Sequence, residues 1–397
     1  MRISTAGLHN AAILQITERT AALSKTQNQL ASGKRIITPA DDPTGAVQAL
    51  GLDRALAQSQ QYGRNADAAT SRLSFEEQAL ADTTTLLDRV RVLAVEANSG
   101  ALDSVGRQSI ATELQTRLGE LVDIANRRDG NGEYLFSGYA TLTQPFALSG
   151  GGVTYSGDQG VRLLQTSDNQ KIADGHPGST VFMDIPQGNG TFVTGVGSAN
   201  TGTGIIDAGS VTDRSAWVPD TYTIRFTSPT TYDVLDSSSN VVSSGTYASD
   251  GAIAFNGIQV QLSGAPAAGD TFTVAPSGKQ DIFTTISNLI TTLSRPADTD
   301  ADNARFATEI GTALAQLDRT QEHISTVRAE VGGRLSVLES AADTRADREL
   351  DLQTALGSLR DLDYADAIAR LNMQLTGLQA AQQSYTKISQ LSLFNYI

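Results

Sequence analysis

The feature that most limits what this chain can become is a row of apolar residues near its C-terminal end. Ile310, Leu317, Ile324, Val331, Leu338, Leu352 and Leu359 fall at multiples of seven, and only Arg345 interrupts the row. Leu314, Leu335, Ala342 and Leu356 fill the position four residues later. This spacing lays one narrow apolar stripe along a long helix, the seam of a coiled coil. Residues 310–359 then make a helix about 75 Å long at about 1.5 Å per residue. No proline follows Pro296, so nothing forces a break. A stripe that long needs antiparallel partners elsewhere in the chain, or partners in other chains. Arg345 is expected to reach past the seam to a carboxylate on a neighbouring helix.

Shorter seams stand at both ends. His9, Ile13, Ile16, Thr20, Leu23, Gln27 and Leu30 step alternately by four and three, with His9 a polar member that fixes register. This helix should stop near Ser32-Gly33, where glycine suits a C-terminal cap. Asp42-Pro43 starts the next helix: the carboxylate caps free amides and proline fits the first turn. Leu73, Leu80, Leu87 and Ala94 repeat by seven, with Val90 and Ala97 alongside, until Asn98-Ser99-Gly100. A third helix is expected from about Val105 to Arg128, with Ile110, Leu114, Leu118, Leu121 and Ala125 on one face. At the far end the long register fails over Asp361–Asp366. It resumes in a new phase at Ile368, Leu371, Leu375, Leu378, Tyr385, Ile388 and Leu391. A terminal helix is therefore set off by a joint, as at the N-terminus. Between residues 1 and 130 the only aromatics are Tyr62 and Phe75, which favours a thin bundle over a globule.

Composition changes at the turn Asp129-Gly130-Asn131-Gly132, after which Tyr134-Leu135-Phe136 should open a β region. No glutamate occurs between Glu133 and Glu309, and Gly, Ser and Thr dominate. Tyr222–Phe226 and Thr271–Val274 alternate as strands. Ile253-Ala254-Phe255 and Ile258–Leu262 flank Asn256-Gly257, the strongest short hairpin signal. Helix returns at Asp281 with Ile282, Ile286, Leu289 and Leu293 on one face. The expected fold is mainly α: an elongated antiparallel coiled-coil bundle built from both chain ends, with an inserted all-β domain. Residues 1–40 and 360–397 form a terminal assembly segment. Residues 41–183 and 280–359 form a helical rod with a β extension, and 184–279 the β insert. The two chain ends should lie side by side at one end, the insert at the other.

Little chemistry is available. The chain has no cysteine and a net charge of −14, without a basic cluster, which disfavours nucleic acid and anionic membrane surfaces. The start lacks the apolar core of a cleaved signal peptide, so any export would use another route. His9, His176 and His323 stand in no metal-ligand spacing. Gly195-Val196-Gly197 reads as a flexible turn. Asp298, Asp300, Asp302 and Glu309 match positions 1, 3, 5 and 12 of an EF-hand loop. Asn303 stands where that loop needs glycine, so the run reads as a solvated linker whose acids favour a helix start. No catalytic constellation, metal site or cofactor is expected. Two short helices with polar-interrupted seams bury too little as an isolated pair. They should order on assembly, through Ile13, Ile16, Leu23, Leu30, Ile368, Leu371, Leu375, Leu378, Tyr385 and Ile388.

Several separate motifs share one resemblance. They are Met1-Arg2-Ile3-Ser4-Thr5, the loop Ser32-Gly33-Lys34-Arg35-Ile36 with Asp41-Asp42-Pro43, and the run from Asp129 to Tyr139. Asp361–Ala367 and the ending Leu391–Ile397 complete the set. In this order they resemble the FlgL family, the flagellar hook-filament junction proteins or third hook-associated proteins. The likeness covers about residues 1–183 and 280–397. The Asn256-Gly257 hairpin with Gly269–Phe272 is similar to modules of hook-associated proteins generally. The resemblance implies a non-enzymatic structural adaptor outside the cell, exported unfolded through the flagellar type III apparatus. It implies a ring of identical subunits between a hook-side junction protein and flagellin, and a cytoplasmic export chaperone on the C-terminal helix. A flagellin-like filament subunit, and a flagellar adhesin or enzyme acting through the insert, are the alternatives.

Overall fold

The computed structural model describes residues 5–99, 102–149 and 152–390. The motif residues Met1–Ser4 and Leu391–Ile397, Gly100, and the side chain of Ile388 lie outside the described residues. Among the described residues there are six α-helices: α1 (Thr5–Ser32), α2 (Pro43–Ala97), α3 (Ser104–Ala125), α4 (Ile282–Ser294), α5 (Asp300–Arg360) and α6 (Tyr364–Gln390). None is long and apolar enough to cross a membrane. Contacts divide the chain into two units, one holding residues up to Arg64 and from Ser340, the other Asn65–Glu339.

In the first unit α1 and α6 pack along each other. Gly33 ends α1 at φ +67°, and Asp42 caps α2 by accepting from the Gly45 amide at 2.9 Å. Ser59 donates to Glu349 at 2.8 Å and Arg360 to Asp53 at 2.9 Å, joining α2 to α5. Arg345 differs from expectation. Its side chain lies over Gly63, where a Cβ would come within 3.3 Å of Nε, and no carboxylate among the described residues pairs with it. The missing side chain at Gly63 leaves room for the arginine stem, so packing takes the place of an ion pair.

In the second unit the heptad row becomes the core. Ile310, Leu317, Ile324, Val331 and Leu338 are buried with Leu73, Leu80, Leu87 and Ala94 of α2 and with Leu114, Leu118 and Leu121 of α3. Asp281 caps α4 by accepting from Thr284 N at 2.6 Å, and Ile282, Ile286, Leu289 and Leu293 bury against the same core. Tyr134-Leu135-Phe136 is not a strand. Tyr134 makes an isolated antiparallel bridge with Arg128, flanked by Leu135 N to Arg127 O, while Tyr134 N donates to Thr141 O, and the three side chains are buried. Buried Arg72 explains the turn: it pairs with Asp129 at 2.9 Å and donates to the carbonyls of Tyr134 (2.9 Å) and Leu135 (3.2 Å). Two antiparallel hairpins follow, β1 (Phe146–Ser149) with β2 (Gly152–Tyr155), and β3 (Leu163–Ser167) with β4 (Gln170–Ala173). A π-helix, Ser179–Met183, sets Phe182 against Phe136 and Phe146, with ring centroids 5.0 and 5.5 Å apart.

The insert opens at β5 (Ile185–Pro186) and closes at β15 (Lys279–Gln280), which pair with each other. Between them run β6 (Phe192–Val196), β7 (Ile205–Ile206), β8 (Ser210–Val211), β9 (Tyr222–Ser228), β10 (Thr231–Leu235), β11 (Val241–Thr246), β12 (Ala252–Phe255), β13 (Ile258–Ser263) and β14 (Thr271–Pro276). One sheet has the order β11-β10-β9-β14-β6 and the other β12-β13-β7, with β8 beside β13. Alternate residues bury a core of their own: Phe192, Tyr222, Ile224, Phe226, Val260 and Phe272 belong to a cluster separate from the helical one. Asn256 (φ +44°) and Gly257 (φ +74°) make the hairpin turn between β12 and β13. Gly195 and Val196 are not a turn but part of β6, opposite Thr273 and Phe272. The acidic run becomes a helix start: Asp300 and Asp302 lie in α5. Thr299 Oγ1 accepts from Asp302 N at 3.1 Å while the Asp302 carboxylate accepts from Thr299 N at 3.3 Å.

Candidate assembly interface

The residues expected to carry assembly sit on α1 and α6 and at the joint beneath them. The packed face of α1 runs through Ala12, Ile16, Leu23, Thr26 and Leu30. That of α6 runs through Leu371, Gln374, Leu378, Ala381 and Tyr385. Both faces step by three and four, as a seam requires. Among the expected residues Ile16, Leu23, Leu30, Leu371, Leu378 and Tyr385 therefore meet within the pair. Ile13 (43%), Ile368 (49%) and Leu375 (37%) are exposed, together with Leu14 and Met373. Small and polar side chains at Ala12, Thr26, Gln374 and Ala381 occupy seam positions that hydropathy alone does not mark. His9 meets α6: its Nε2 lies 2.9 Å from the Tyr385 hydroxyl, with the rings 5.0 Å apart.

Below the pair, the two crossings of the chain are stitched by backbone bonds. Lys34 and Asp361 form an antiparallel bridge, flanked by Arg35 N to Arg360 O at 2.7 Å and Leu362 N to Gly33 O at 3.0 Å. The Arg35 guanidinium donates to Leu359 O at 2.7 Å, and Gln29 donates to Arg35 O at 2.7 Å. Asp41 ties the loop to α1: Lys25 lies 2.7 Å from it, and the amides of Ile37 and Thr38 donate to it at 3.1 and 2.9 Å. Lys25 above all, then the Thr38 amide, holds the Asp41 carboxyl well below the usual carboxylate range. Ile36, Leu362 and Ala367 are buried at this joint. Periodicity reasoning missed Lys25, Gln29 and Arg35, because their partners are a loop carboxylate, a loop carbonyl and, for Arg35, a carbonyl 324 residues away. The Asp41-Asp42-Pro43 run was the available signal.

Comparison with known proteins places this chain, helical at both ends with a β domain inserted between, among bacterial flagellar proteins. Residues 3–141 match the model of the bacterial flagellin N-terminal helical region. Residues 196–276 match that of the flagellar hook-associated protein 1 D2-like domain. Full-length likeness narrows the class. Flagellar hook-associated protein 3 of Escherichia coli K12 is 27% identical over 395 residues, 99% of each chain. The crystal structure of Xanthomonas campestris FlgL is 35% identical with a TM-score of 0.73, covering 77% of this chain and 99% of that one. The flagellar junction protein FlgL of Legionella pneumophila is 33% identical with a TM-score of 0.73, covering 79% and 100%. Flagellin B of Helicobacter pylori is 32% identical over only 29% of this chain. The chain belongs to the FlgL family, the flagellar hook-associated protein 3 family.

Proposed function

We propose that this chain is the structural subunit that joins the hook side of the bacterial flagellum to its filament, as a ring of identical copies outside the cell. The observation that carries this reading is likeness over the whole length of FlgL, in sequence and in fold, whereas a flagellin that matches over a comparable length, polar flagellin C of Vibrio parahaemolyticus, is only 22% identical. The exposed apolar residues Ile13, Leu14, Ile368, Met373 and Leu375 on a shallowly packed helix pair support contacts with neighbouring subunits. Hook-side junction protein and flagellin are the proposed neighbours, and a cytoplasmic export chaperone is proposed to hold α6 before assembly. Export is proposed to run through the flagellar type III apparatus. The role is proposed to be structural and non-enzymatic, on the strength of the likeness to structural flagellar proteins. The test is a strain lacking this chain, imaged by electron microscopy. Hooks without attached filaments are expected. Normal filaments on such cells would overturn the reading.

A further inference from the structure

A buried acid-base group outside the helix pair has no part in that reading. His176 lies between β4 and the π-helix, and both of its ring nitrogens face carboxylates on different long helices. Nδ1 is 2.7 Å from Glu76 Oε1 on α2, and Nε2 is 3.1 Å from Glu330 Oε2 on α5. His176 and Glu76 are buried, whereas the Glu330 side chain is 55% exposed. A carboxylate only accepts hydrogen bonds, so serving both requires a proton on each ring nitrogen.

We propose that His176 is a proton-controlled fastener that ties the 174–178 segment to α2 and α5 at once. With two protons the ring donates to both carboxylates. With one it serves only one, and its other nitrogen turns a lone pair toward an oxygen. The retained bond is the one to Glu76, because Glu76 is buried, with Oε2 already lacking a partner, while Glu330 is open to water. Glu330 also keeps Arg334 of α5 at 3.6 Å, so its release costs less. The other charges of the site are already engaged. Arg72 of α2 pairs with Asp129 and Glu133 of the turn, and Arg162 pairs with Asp174 of the segment and with Glu133. Arg334 also donates to Gly175 O at 3.5 Å. No other base among the described residues is placed to bridge Glu76 and Glu330. Loss of one proton therefore removes the segment's short tie to α5, leaving there only the long Arg334 contact, while keeping it on α2.

The test uses the full chain labelled with nitrogen-15 at histidine and the variant Glu330→Gln. A glutamine at 330 presents an oxygen to a protonated Nε2 or an amide to a bare one, so it accommodates both ring states. Because residue 330 is exposed, the variant keeps the fold. In the unsubstituted chain, nitrogen shifts should show both ring protons on the acid side of a pH series and an Nδ1-protonated ring once base has removed one proton. The melting temperature should fall as that proton is lost, and the fall should be absent or clearly smaller in Glu330→Gln. A ring that stays neutral throughout, with the proton on Glu76, would overturn the proposal. An identical pH dependence of melting in both proteins would do the same.

Discussion

Gly33, one residue past the end of α1, faces the hydroxyl of Tyr364 at the start of α6: a Cβ placed on Gly33 would lie 2.8 Å from that oxygen. The contact binds the turn ending the N-terminal helix to the turn beginning the C-terminal one. Two separate demands exclude a side chain here, the φ of +67° and the close hydroxyl.

Gly33→Ala should therefore destabilise the first unit, with roughly 1 to 2 kcal/mol coming from the backbone alone. Adding Tyr364→Phe should recover the steric part and leave the backbone part. Denaturant unfolding of the single and double variants measures both. Full recovery in the double variant would show that the backbone conformation costs nothing.

Asp41 gives the joint a dependence on acid. Its carboxyl is held low in the folded chain, chiefly by Lys25 and then by the Thr38 amide. A group depressed on folding stabilises above its unfolded value, and that contribution is lost as pH falls through the folded one. Protection of the Ile37 and Thr38 amides, corrected for intrinsic exchange, should thus decline on acidification. In Asp41→Asn protection should be low at every pH. Equal protection in the two proteins would show that Asp41 does not hold the loop.

The long helices were legible in the chain because burial there is periodic. Leu73, Leu80, Leu87, Ile310, Leu317 and Ile324 could be placed by spacing alone, and all are in the core. The insert was legible through Asn256-Gly257 and the alternation around it. The terminal seam was legible in kind but not in register. Ala12, Thr26, Gln374 and Ala381 lie on the packed face because two thin helices approach closely at small residues, and hydropathy does not report closeness. Arg35, Arg72 and His176 were illegible for another reason. Each is fixed by backbone or charge brought from a distant stretch, and such pairing leaves no periodic trace.

The insert has a core of its own and enters and leaves through the β5–β15 pair. Replacing residues 184–277 by a short Gly/Ser linker should leave the helical unit folded and filament attachment intact. Swimming and electron microscopy of the complemented deletion strain check this. Lost attachment with helices still folded would give the insert an assembly role.

The terminal helices should gain most of their order from neighbours. A buried large apolar side chain contributes about 1.5 to 3 kcal/mol, and ordering a residue costs about 1 to 2 kcal/mol for the backbone alone. One seam with Gln374 and Thr26 in it falls short of offsetting the length of α1 and α6. The double substitution Leu371→Glu with Leu378→Glu should abolish filament attachment and chaperone binding. It should leave the main melting transition in place. In the free monomer, amides of residues 5–30 and 366–390 should exchange quickly. Strong protection there would refute the idea.

Arg72→Met should destabilise the second unit by about 3 to 5 kcal/mol, since it leaves the buried Asp129 carboxylate without its cation and the carbonyls of Tyr134 and Leu135 without their donor. Thermal unfolding reads the loss. A shift within the range of surface substitutions would show that the site relaxes by admitting water.

The antiparallel bridge at Lys34 and Asp361 also has a mechanical meaning. Its flanking bonds, Arg35 to Arg360 and Leu362 to Gly33, lie side by side across the two crossings of the chain. Opposed tension along those crossings shears both bonds together, whereas a force prising the crossings apart would peel them one after the other. Shear shares the load, so the stitch resists sliding of one chain end past the other far better than its two bonds would if taken in turn. In a subunit that joins hook to filament, as proposed above, torque would reach the stitch as sliding of this kind.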